Sequence, residues 1–133
     1  MWTVAPGKSF ARVNGRPAWV PVPLIPAKIF EQAYYRALHK NVAFAIGHVG
    51  LTPPLRIELG ILGLRNVHLA VDGDDIRGPI QPDESFVRTE LASADPAAID
   101  AILLEFFNEV YDKTGYARPV GLHGFPPEPQ PSS

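Results

Sequence analysis

The stretch Leu55-Arg56-Ile57-Glu58-Leu59-Gly60-Ile61-Leu62-Gly63-Leu64-Arg65-Asn66-Val67-His68-Leu69-Ala70-Val71 decides the fold. Leu55, Ile57, Leu59 and Ile61 alternate with Arg56, Glu58, Gly60 and Leu62, and a period of two sends the two sets to opposite faces of a strand. Gly63-Leu64-Arg65-Asn66 interrupts the run, and Val67, Leu69 and Val71 resume it against His68 and Ala70. The simplest reading is two strands joined by a short Gly- and Asn-containing connection, a β-hairpin. The stretch is apolar enough to raise a membrane span, but Arg56, Glu58, Arg65, Asn66 and His68 inside it exclude one, because charge within a bilayer is costly.

Two amphipathic helices flank this stretch and need its apolar face. Residues 26–47 have Pro26 at a first helical position. Ile29, Phe30, Ala33, Tyr34, Ala37, Leu38, Val42, Ala45 and Ile46 follow at helical spacing. Glu31, Gln32, Tyr35, Arg36, His39 and Lys40 read as the wet face, and Phe44 lies off the stripe. Gly47 or Gly50 can end the helix, and Pro53-Pro54 forbids its continuation. The second helix starts at Pro96 with Asp95 as its cap. Ile99, Ile102, Leu103, Phe106, Phe107, Val110 and Tyr111 form its stripe, and Gly115 follows its end.

Further out, residues 9–22 read as a hairpin around Asn14-Gly15, a pair suited to the positive φ of a type I′ turn. Pro17 and Pro21 cannot donate to a ladder and make its second arm an edge. Asp72-Gly73-Asp74-Asp75 is a turn, residues 76–80 a short strand ended by Gly78-Pro79, and residues 85–91 a strand with Phe86, Arg88 and Glu90 on one side. From Pro119 periodicity is lost, and the Pro-rich end reads as a flexible tail. The expectation is an α+β chain: one domain over residues 1–120, two helices packed on a mostly antiparallel sheet, and a tail over residues 121–133.

The chain has 133 residues, 15 prolines and no cysteine. That length can bury a core without staples. The lack of cysteine excludes disulfides and thiolate sites and fits a reducing cytoplasm. Met1-Trp2-Thr3-Val4-Ala5-Pro6-Gly7 lacks the pattern of a signal peptide. The net charge of −2 hides an asymmetry. Residues 1–65 carry eight basic and two acidic groups, and residues 66–133 carry four basic and twelve acidic ones. Either the halves fold together and neutralise each other, or a basic face meets an anionic partner or a second copy.

Motifs for chemistry are sparse. The four histidines, His39, His48, His68 and His123, form no His-Glu-x-x-His pair, so no metal and no cofactor is expected. A set of His39, His48 and Asp72 could ligate a metal, but ordinary hydrogen-bonded histidines explain it more simply. Asp72-Gly73-Asp74-Asp75 fails as a calcium loop, because Ile76 and Arg77 stand where a ligand and the turn glycine belong. Gly47-His48-Val49-Gly50 and Gly60-Ile61-Leu62-Gly63 match no phosphate-binding pattern; the first reads as a helix stop, and the glycines of the second as admitting a bend or a helix packed closely on the strand. Ser9, Ser85 and Ser93 lack a nucleophile-elbow context.

The runs Pro54 to Val71, Gly78-Pro79-Ile80 and Leu103 to Pro119 (Leu-Leu-Glu-Phe-Phe-Asn-Glu-Val-Tyr-Asp-Lys-Thr-Gly-Tyr-Ala-Arg-Pro) resemble the C-terminal region of bacterial proteins with a Schlafen/AlbA-type divergent ATP-binding domain. The resemblance covers about half the chain and rests on structural residues. It implies an accessory or C-terminal module. The nucleotide-binding parts of that family have no counterpart here, and no catalytic residue carries over.

Three functional readings follow. The first is a small cytoplasmic interaction or oligomerisation module, with a protein partner or itself, through Tyr35 and Phe44 of the first helix. The second is a nucleic-acid-associated module using Arg12, Arg16, Arg36 and Lys40, whose binding would weaken with salt. The third is an enzyme or small-ligand binder with a helix–sheet pocket lined by His39, His48, Glu58 and His68.

Overall fold

A computed structural model describes residues 10–19, 21, 23–71 and 75–118. The predicted flexible tail lies outside the described residues. The strands are β1 (Phe10–Val13), β2 (Arg16–Trp19), β3 (Leu24–Pro26), β4 (Leu55–Leu62), β5 (His68–Ala70), β6 (Asp75–Arg77) and β7 (Glu84–Leu91). The helices are α1 (Ala27–Phe44) and α2 (Pro96–Asp112). This is an α+β chain, with its helices against mostly antiparallel and mixed β-structure.

The central stretch is extended, as its alternation predicts, but the predicted hairpin between its two halves is not there. β4 pairs antiparallel with β7, and β5 pairs antiparallel with β6. Leu55 faces Leu91, Leu62 faces Glu84, and further along Leu69 faces Arg77 and Ala70 faces Ile76, so the register never slips. Between the two ladders Asn66 N–H donates to the Ile80 carbonyl and Ile80 N–H to the Val67 carbonyl. Residues 55–71 and 75–91 thus make one long, jogged β-ribbon that reverses between Val71 and Asp75, where Val71 N–H donates to the Asp75 carbonyl. Leu64–Val67 forms a turn closed by Val67 N–H donating to the Leu64 carbonyl at 2.9 Å, with Asn66 at φ 67° and Gly63 at φ 77°, but it jogs the ribbon instead of reversing it. The reason is apolar burial: Leu64 and Val67 are 1% exposed, and a hairpin tip would leave them in water.

The ribbon runs through two layers. Its β5–β6 end joins the mixed sheet β2-β1-β6-β5-β3, in which β1 runs parallel to β6 and β3 parallel to β5. β1 and β2 form the predicted hairpin: Asn14 and Gly15 have φ 53° and 83°, and β2 is an edge strand. The Asn14 amide also exchanges two hydrogen bonds with the Gly78 backbone, which fixes the turn against β6.

The ribbon's β4–β7 end carries the main core. Its inner residues meet Phe30, Leu38 and Val42 of α1 and the α2 stripe. All seven predicted stripe residues of α2 are buried. Each fully buried apolar side chain of this size contributes roughly 1.5–3 kcal/mol. Asp95 caps α2, accepting from Ala97 N–H at 3.1 Å. The rings of Phe30, Tyr34, Phe106 and Phe107 interlock at centroid distances of 5.0–6.2 Å.

The face of α1 departs from its prediction. Glu31 and Gln32, read as wet, are buried, while Ile29 is exposed. The helix continues as a π-turn over Ala45–Val49 and stops at Gly50, whose φ of 83° suits glycine.

Candidate interaction surface

The outer face of the β4–β7 ladder is a charged checkerboard. Alternation leaves Arg56 opposite Glu90, Glu58 opposite Arg88, Gly60 opposite Phe86 and Leu62 opposite Glu84. Arg88 Nε donates to Glu58 Oε2 at 3.2 Å. The Arg88 guanidinium also sits 5.3 Å from the centroid of the Phe86 ring. That ring lies over Gly60 so closely that any side chain there would run into it. Arg56, Ile57, Glu58, Arg88, Thr89 and Glu90 line an open depression of about 480 Å³. Exposed ion pairs of this kind contribute about 0–1 kcal/mol, so they order the face more than they hold the fold.

A second surface closes the end of α1. Phe44, Val49 and Leu51 are exposed by 56%, 58% and 49%. The backbone gathers them: Phe44 ends the helix, Val49 ends the π-turn, and Leu51 N–H donates back to the Ala45 carbonyl at 3.0 Å. The Phe44 ring lies 5.1 Å from that of His48. One turn and more before this, His39 Nε2 lies 2.7 Å from Asp100 Oδ1, joining α1 to α2. The ring of half-buried Tyr35 lies 4.5 Å from His39. Burial, and then the Asp100 carboxylate, push the Tyr35 hydroxyl above its ordinary pKa.

The four predicted pocket residues each have a different neighbour. His39 meets Asp100, His48 meets Phe44, and Glu58 meets Arg88 on the outer ribbon face. His68 lies on β5 in the other sheet, against Gly78. The predicted basic set divides in two: Arg12 and Arg16 are exposed on the β1–β2 hairpin, and Arg36 and Lys40 are exposed on α1. The predicted interface residues Tyr35 and Phe44 stand on α1 as described. Among the described residues no group of three or more His, Cys, Asp or Glu could hold a metal. No helix among them is long and apolar enough to cross a membrane.

One constellation was not predicted. Glu31 of α1 accepts two hydrogen bonds from Arg118, from Nε and from an Nη, each at 2.8 Å, and both side chains are buried. The Tyr111 hydroxyl is buried nearby, and its pKa is raised by burial first and by the Glu31 carboxylate next. Arg77 supports the same segment, donating to the Ala117 carbonyl at 2.9 Å and lying 5.7 Å from the Tyr116 ring centroid. This network straps the chain after α2 to α1 and β6. The only sequence signal was a carboxylate one position beyond the buried Phe30.

No family model, curated protein or solved structure matches this chain.

Proposed function

We propose that this chain is a protein-interaction module, without catalytic activity of its own, whose contact surface is the end of α1. The observation that supports this reading is the group of Phe44, Val49 and Leu51 at and just beyond the end of α1, three large apolar side chains left about half exposed or more. Grouped apolar exposure beside polar surroundings is the mark of an interaction site, and aromatic anchors carry much of the energy of such contacts. His48 stands against Phe44 at this surface, while Tyr35 and the His39–Asp100 pair lie further back on α1, Tyr35 on the side of the helix opposite Phe44. The lack of cysteine fits a cytoplasmic setting. The resemblance to Schlafen/AlbA-type proteins fits a module that accompanies a larger protein.

The test is Phe44→Ser with Leu51→Ser. Both side chains are exposed, so the thermal melt should move little. Light scattering from micromolar down to nanomolar concentration, with capture from host lysate, should show the native chain associating with itself or a partner and the variant failing to. A native chain that stays monomeric and recovers nothing would end this reading.

A further inference from the structure

Among the described residues β4 is an open rim, with β7 its only pairing strand. An antiparallel strand with one neighbour points alternate N–H and C=O groups away from it. Natural edges are usually blunted by proline, charged side chains, a bulge, short length, inward-pointing charge or a covering helix or loop. β4 runs eight residues in unbroken register and holds no proline, and its two exposed charges, Arg56 and Glu58, are of opposite sign, so they can complement a second copy instead of repelling it. Leu55 and Ile61 are only half-buried, while Leu91 and Ser85 opposite them on β7 are buried.

We propose that this edge pairs antiparallel with β4 of a second copy, making a continuous four-stranded sheet with the helices of both copies on one face. The proposal rests on the interaction-module reading only in taking association to be the chain's role; it uses different residues.

Charge selects the register. Directly opposite residues share a face, so two copies related by a two-fold axis must keep inner opposite inner and outer opposite outer. Centring the axis on Arg56 sets Arg56 against Arg56, and centring it on Glu58 sets Glu58 against Glu58. Centring it on Leu59 sets Arg56 against Leu62 and Glu58 against Gly60. Centring it on Ile57 sets Arg56 of each copy against Glu58 of the other, twice. On the inner face Leu55 then meets Leu59, and Ile57 meets itself. Pro54 has no N–H and ends this ladder at residue 55. The ladder therefore stops at residue 59, short of Gly60, whose carbonyl already accepts from the Tyr34 hydroxyl at 2.8 Å.

The test uses two single variants, Arg56→Glu and Glu58→Arg, each alone and in equal mixture, followed by sedimentation at micromolar concentration. Both positions are exposed, and melts check that each variant folds. The native chain should dimerise. Each variant alone puts like charges at both symmetric contacts and should weaken the dimer by roughly tenfold or more. The mixture should recover it, because each contact in the heterodimer then joins opposite charges. Amide exchange at residues 55–59 should slow on association. A mixture no better than its components overturns the β4 pairing, as does a native chain that never dimerises. If Phe44→Ser with Leu51→Ser abolishes a dimer indifferent to both charge changes, the α1 surface stands and the β4 edge falls. The opposite pattern keeps the β4 pairing and removes the α1 surface from self-association.

Discussion

Glu31 shows why one residue can escape a sequence reading. A carboxylate is buried only when it is paired and hydrogen-bonded, and its partner Arg118 lies 87 positions away. Helical spacing alone places Glu31 among the wet residues. Removing one partner leaves a buried, uncompensated charge, so Arg118→Met should cost about 3–5 kcal/mol in urea unfolding. Adding Glu31→Gln should return part of that loss, because the stranded charge is then gone. Gly60 is a second case, legible as a close approach but not in what approaches it. Gly60→Ala must displace the Phe86 ring and should cost about 1–3 kcal/mol. The loss should shrink in a Phe86→Ala background. A cycle with no coupling between the two positions would show that the ring does not set the requirement for glycine.

Elements with a clean local signal were readable. The α2 stripe, the Asn14-Gly15 turn and the two faces of β4 and β7 stand as the periodicity predicts. Asp95→Ala removes the acceptor for Ala97 N–H and should cost about 0.5–2 kcal/mol in the same unfolding measurement. A loss near zero would mean that the first turn is held by packing alone. The pairing of the central stretch was less readable, because alternation states which way side chains point and not which strand lies alongside. Gly63 and Asn66 carry turn chemistry, yet Leu64 and Val67 between and beside them are apolar. A turn does form between Leu64 and Val67, but burial of those two side chains keeps it within the ribbon, and the reversal falls between Val71 and Asp75. The candidate pocket failed to assemble for the same reason, since His68 travels with β5 into the mixed sheet while Glu58 stays on β4.

At the scale of the molecule, polar pairs join the basic and acidic halves of the sequence without cancelling the split charge, because Glu31 and Glu58 are the acidic residues of the basic half and meet arginines of the acidic one. Glu31 meets Arg118, His39 meets Asp100, and Glu58 meets Arg88, each pair joining one half to the other. The ribbon carries its two ends into two sheets. His68 gives the β5 end a pH dependence. Its Nδ1 is buried without a hydrogen-bond partner among the described residues, and burial lowers its pKa below the ordinary value of 6.5. Below 6.5 the unfolded chain binds a proton at this residue that the folded chain binds less readily. Stability is therefore fully present above 6.5 and is lost as pH falls from there through the depressed folded value. Melting temperatures taken between pH 8 and about 5, above the usual carboxylate range, should fall on acidification in the native chain. His68→Gln removes the titrating group and should flatten the curve across that interval. Parallel curves for the two chains would assign the acid sensitivity to another group and leave β5 indifferent to protonation.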